Sequence, residues 1–139
     1  MQYGFFEFLP HGDERGQLIA LEGNREIPFD IKRVYYIYDT KKGVRRGFHA
    51  HKNLKQILIC IKGSCKIHID DGTETKEILL NCPEKGLYLS NYIWREMYDF
   101  SHDAVLLVLA SEYYDESDYI RSYEDFLRYK RRGEFCEED

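Results

Sequence analysis

Apolar positions recur along this chain in short runs with turn residues between them. Ile31–Tyr38, Gln56–Ile61, Cys65–Ile69, Glu77–Leu80, Gly86–Leu89 and Ala104–Ala110 each read as strands. Lys66, His68 and Asp70 alternate with Cys65, Ile67 and Ile69, so that strand carries one wet face. Asp70-Asp71-Gly72-Thr73 predicts a tight hairpin turn, and Lys62-Gly63-Ser64 a second. The pattern is antiparallel, with too little helix for βαβ units. The period changes at the C-terminus. Tyr119, Ile120, Tyr123, Phe126 and Leu127 fall at helical spacing, with Arg121, Glu124, Asp125 and Arg128 between them. Asp115 to Asp118 supply capping and negative charge at one end, and Arg128 to Arg132 positive charge at the other. One amphipathic helix is predicted over about 117–131. The acidic tail from about 134 is expected to be mobile. No repeat or Pro/Gly-rich boundary divides the chain, so residues 1–139 are expected to form one domain.

Charge and composition narrow the function classes. A formal net charge of −5 argues against general binding to nucleic acid or to an acidic membrane surface. No run approaches the roughly 20 apolar residues of a membrane span, and with no basic segment followed by an apolar one near residue 1, no secretory leader is expected. Cys60, Cys65, Cys82 and Cys136 form no CxxC pair, so reduced thiols and a cytoplasmic setting are expected.

The chemistry concentrates in Arg45-Arg46-Gly47-Phe48-His49-Ala50-His51-Lys52. Alternate strand residues share a face, about 6.5–7 Å apart along the chain, so His49 and His51 look into one space. Two such imidazoles can bind a metal, move protons or fill a polar gap. The spacing Gly47-x-His49-x-His51, then Gln56, then Gly63 resembles the first motif of the cupin superfamily. Metal-binding cupins carry Glu where Gln56 stands. Arg95 sits about where their later His would be. An amide and a guanidinium in those places argue against a metal site, because Arg is not a ligand and repels a dication. His11, His68 and His102 read as ordinary polar residues.

A longer resemblance covers residues 5 to about 130. Pro28-Phe29-Asp30-Ile31-Lys32-Arg33-Val34-Tyr35-Tyr36-Ile37, Arg46-Gly47-Phe48-His49-Ala50-His51-Lys52, Trp94-Arg95-Glu96-Met97 and Leu109-Ala110-Ser111-Glu112-Tyr113-Tyr114-Asp115-Glu116-Ser117-Asp118-Tyr119-Ile120-Arg121 carry it. On these residues the chain resembles the sugar-nucleotide 3,4-ketoisomerases that act on dTDP-4-keto-6-deoxy-D-glucose. The resemblance implies an all-β, cupin-type double-stranded β-helix (jelly roll) with one C-terminal α-helix. It also implies a homodimer with exchanged N-terminal strands and chemistry without metal or cofactor. The product would feed the synthesis of 3-amino-3,6-dideoxy sugars. His49 is then the expected base and His51 its support or relay. Tyr35 and Arg95 complete the expected catalytic set, with Arg15, Arg46, Lys52 and Gln56 as substrate-binding residues. The competing readings are a related keto-sugar epimerase acting at carbons 3 and 5, and a sugar-nucleotide-binding module without catalysis. An imidazole with an ordinary pKa near 6.5 suits proton transfer at neutral pH, and an enediolate needs donors or cations at its oxygens.

Overall fold

The computed structural model describes the backbone of residues 1–138 and the side chains of residues 1–132. Two five-stranded antiparallel sheets lie face to face. One contains β1 (Tyr3–Glu7), β4 (Arg33–Ile37), β6 (Gln56–Lys62), β9 (Lys85–Leu89) and β11 (Val105–Ala110), ordered β1-β9-β6-β11-β4. The other contains β5 (Arg46–His51), β7 (Cys65–Asp70), β8 (Thr75–Leu80), β10 (Trp94–Tyr98) and β12 (Tyr119–Ile120), ordered β12-β5-β10-β7-β8. A small hairpin, β2 (His11–Asp13) with β3 (Gly16–Leu18), stands apart. This is the jelly roll implied by the resemblance. The predicted strand runs correspond to β4, β6, β7, β8, β9 and β11.

Three apolar clusters explain the strand patterns. Leu58, Cys60, Ile67, Ile69, Leu87, Leu89, Met97, Leu106 and Val108 fill the space between the sheets. Ile57, Ile59 and Leu109 pack outside the first sheet against Phe8, Ile27 and Phe29. The run Ile57–Cys60 is therefore apolar without alternation, because β6 is buried on both faces. Outside the second sheet, Ala50, Trp94 and Ile120 pack against Phe126 of α1 (Tyr123–Glu138).

The predicted helix over 117–131 is corrected at both ends, since α1 runs from Tyr123 to Glu138 and takes in the backbone of the tail expected from about 134. Asp115 caps a 3-10 turn at Glu116–Asp118 by accepting from the Ser117 N–H, and Tyr119–Ile120 then pair with His51 and Ala50 as β12. The helix begins at Tyr123, where the Ser122 hydroxyl accepts from the Asp125 N–H. Strand pairing wins for Tyr119 and Ile120 because it buries Ile120 and completes the edge of β5. The side chains of the acidic tail from 134 lie outside the described residues.

Candidate active site

One end of the space between the sheets is polar. On β5, His49 and His51 turn inward while Ala50 packs outward under α1. Gln56 and Arg95 project inward from β6 and β10, in the same alternation as Leu58 and Met97. Arg95 lies directly opposite His49 across the β5–β10 ladder, which shifts register just beyond it. The shift rests on positive φ at Gly47 (94°) and Phe48 (57°). A Cβ on Gly47 would stand 2.8 Å from the Arg95 carbonyl oxygen, so only glycine allows this approach.

The His49 Nδ1–H donates to the Gly47 carbonyl at 3.1 Å. Its Nε2 then carries the lone pair, and that atom is buried without a partner among the described residues. Burial first, and the Arg95 guanidinium second, lower the His49 pKa from its ordinary 6.5 to about 3. His51 is fully buried and donates from Nδ1 to Asp118 Oδ2 at 2.9 Å. Burial and Arg95 hold its pKa far below the usual imidazole range, so this contact is a hydrogen bond from a neutral ring. The two rings meet edge to face with centroids 4.9 Å apart, and Tyr119 lies against both, at 5.0 and 4.4 Å.

A second network runs behind the pair. Arg95, fully buried, donates to the Ile93 carbonyl and to Gln56 Oε1. Gln56 Nε2 in turn donates to the Tyr35 hydroxyl oxygen at 3.0 Å. Burial lowers the Arg95 pKa only to about 10, so the guanidinium keeps its charge, and burial raises the Tyr35 phenol. A cavity of about 330 Å³ opens onto this polar end. His49, Tyr35, Arg33, Arg46, Tyr119 and Arg121 help to line it. The site does not fit a divalent cation. No three His, Cys, Asp or Glu side chains converge among the described residues, the Gln56 amide is engaged at both ends, and Arg95 brings a fixed positive charge.

The family model described as FdtA, WxcM-like, C-terminal, matches residues 1–131. The chain belongs to this family. A curated relative from Aneurinibacillus thermoaerophilus, a TDP-4-oxo-6-deoxy-alpha-D-glucose-3,4-oxoisomerase, is 57% identical over 117 residues, covering 84% of each chain. A 3,4-ketoisomerase from Helicobacter canadensis superposes with a TM-score of 0.92 at 53% identity, covering 94% of this chain and 98% of that chain. A mutant of the 3,4-ketoisomerase QdtA from Thermoanaerobacterium thermosaccharolyticum, solved with TDP-4-keto-6-deoxyglucose, gives 0.92 at 48% identity over 94% of each chain. This FdtA-family protein is accordingly a 3,4-ketoisomerase, an isomerase on a cupin-type jelly roll.

Of the site residues expected in this ketoisomerase, the fold brings His49, His51, Tyr35, Gln56 and Arg95 together and puts Arg46 at the cavity. It leaves two outside. Lys52 lies over the Tyr129 ring, 5.1 Å from its centroid, because it follows the last residue of β5. Arg15 sits at the turn of the β2–β3 hairpin, 87% exposed and paired with Asp13. His51 and Gln56 are not among the residues lining the cavity. Both lie behind it. Arg33, which was not among the expected site residues, also lines the cavity, with Nε and an Nη buried and unpartnered among the described residues. Asp118, Tyr119 and Arg121 also belong to the site, although their spacing resembles a helix start. The only signal for them in the sequence is that they lie in the long stretch shared with the family.

Proposed function

We propose that His49 carries the proton in this ketoisomerase, from carbon 3 to carbon 4 of dTDP-4-keto-6-deoxy-D-glucose through an enediolate. The observation behind this reading is the unpartnered Nε2 of His49 at the cavity, with its Nδ1–H already committed to Gly47. The neighbouring ketone acidifies the proton on carbon 3. Its return at carbon 4, together with passage of the hydroxyl proton from the carbon 3 oxygen to the carbon 4 oxygen in the enediolate, exchanges ketone and hydroxyl without net oxidation, so no redox partner is required. A neutral, desolvated imidazole is ready to accept the proton, and an anion bound beside it raises its basicity.

The other groups divide the remaining work. Gln56 donates to the Tyr35 oxygen, which leaves the Tyr35 O–H free to donate to an oxygen of the enediolate. Arg95 fixes the Gln56 amide by holding its oxygen, and so sets the direction of that chain. Arg33, Arg46 and Arg121 line the cavity with positive charge suited to the diphosphate.

A homodimer with exchanged N-terminal strands belongs to the same proposal. Arg15 lies on an exposed hairpin outside the cavity of its own chain, where it meets substrate only as a partner's residue. Leu9 and Leu18 around that hairpin, Tyr36 on β4 and Tyr38 just after it are exposed, and a partner would cover them. A cytoplasmic setting is proposed on the free thiols of Cys60, Cys65 and Cys82. The test is incubation with dTDP-4-keto-6-deoxyglucose and an aminotransferase specific for the 3-keto product. Amino-sugar formation that depends on this protein is expected; no amino sugar from intact substrate would overturn the reading.

A further inference from the structure

We infer that Asp118 is a positioning residue for the isomerisation, acting through His51 from the segment that joins the jelly roll to its C-terminal helix. Asp118 is 8% exposed and makes three contacts with the end of β5 and the loop after it. Its Oδ2 accepts from His51 Nδ1, its Oδ1 accepts from the Asn53 backbone N–H at 2.7 Å, and its carbonyl accepts from the Lys52 N–H at 3.0 Å. A neutral imidazole has one N–H, and an ionised carboxylate only accepts. Asp118 therefore holds the His51 proton on Nδ1 and leaves a lone pair on Nε2, an atom that is buried without a partner among the described residues.

The consequence reaches His49 through the ring contact. When His49 takes a proton it becomes a cation in a dry site that already contains the Arg95 charge. An electron-rich His51, edge to face at 4.9 Å and backed by a carboxylate, offsets that charge. A His51 with its proton on Nε2 would not. The inference rests on the reading of His49 as base, so the two need separate variants.

D118N separates them, because the outcome for the side chain is dictated by its neighbours. The Asn53 N–H requires an oxygen, which turns the Asn amide nitrogen toward His51 Nδ1. That nitrogen donates, so the His51 proton must move to Nε2. Nitrogen-15 NMR of the full-length protein is expected to show His51 as the Nδ1–H tautomer in the wild type and the Nε2–H tautomer in D118N. The variant is expected to keep its affinity for TDP within about threefold while kcat falls about 10²-fold, less than for the aspartate of a serine protease because His51 is not the base. The primary isotope effect with substrate deuterated at carbon 3 is expected to rise, which a purely structural role would not cause. An inverted tautomer with kcat within about threefold of wild type overturns the inference, as does a tautomer that does not invert. Should D118N fail to fold, the wild-type spectrum keeps the inference falsifiable: a His51 proton on Nε2 overturns it. H49N measured alongside reports on the base alone, since turnover surviving there removes that reading without touching the tautomer result.

Discussion

At the scale of single residues, this site depends on where hydrogens are placed more than on which residues are present. His49 and His51 are both neutral, and both spend Nδ1–H on a fixed acceptor, Gly47 in one case and Asp118 in the other. The acid limb of kcat/KM should reflect this. A base must be neutral to work, and the His49 pKa lies at about 3 instead of 6.5. Activity of the free enzyme on substrate should therefore stay flat as pH falls through 6.5, and should decline only well below it. A kcat/KM profile between about pH 5 and 8 checks this; a limb near 6.5 would place His49 in water. The His pair was legible in the sequence because strand alternation is a local rule. Asp118 was not, since it stands 67 residues from His51 and its neighbours carry the charges of a helix start. Arg33 was missed for a similar reason: nothing local distinguishes a cation facing a cavity from one facing solvent.

At the scale of elements, the C-terminal segment supports β5 from both faces. Tyr119 and Asp118 meet the inward imidazoles, while Ile120 and Phe126 pack on Ala50 from outside. The sequence shows helical spacing here, but two of its apolar residues, Tyr119 and Ile120, serve a strand. That difference arises because the free edge of β5 offers backbone partners that a helix of the same residues would leave unpaired. Phe126 is fully buried in this contact. F126A should cost about 3 kcal/mol of stability, read as a lower midpoint of denaturant unfolding. Activity per folded molecule should fall with it, because the docking of α1 and the placing of β12 share one cluster. Loss of stability with unchanged specific activity would show that the helix is only a cover.

For the whole molecule, the jelly roll keeps a polar end within an otherwise apolar sandwich, and that has a consequence for stability. Unfolded imidazoles take up protons below about pH 6.5, while folded His49 resists protonation down to about 3. The unfolded state thus binds more protons over that window, and stability must fall as pH falls through it. The midpoint of thermal unfolding is expected to drop from pH 7 toward pH 4, and the drop should be shallower in H49N, which has one fewer proton to take up. An equal slope in both proteins would mean that His49 is not held neutral by the fold. The all-β class, the strand runs and the candidate cavity's imidazoles could all be read from period and spacing. Arg15 and Lys52 could not be placed, because a loop's direction relative to a cavity is set by packing far along the chain.

The central claim is that His49 moves the proton. Proton NMR of dTDP-4-keto-6-deoxyglucose incubated with wild-type protein and with H49N tests it most directly, with TDP affinity measured for both. The wild type should convert the substrate to its 3-keto isomer. H49N should bind TDP comparably and convert the substrate about 10³-fold more slowly or not at all. Conversion by H49N within about tenfold of the wild-type rate would contradict the account.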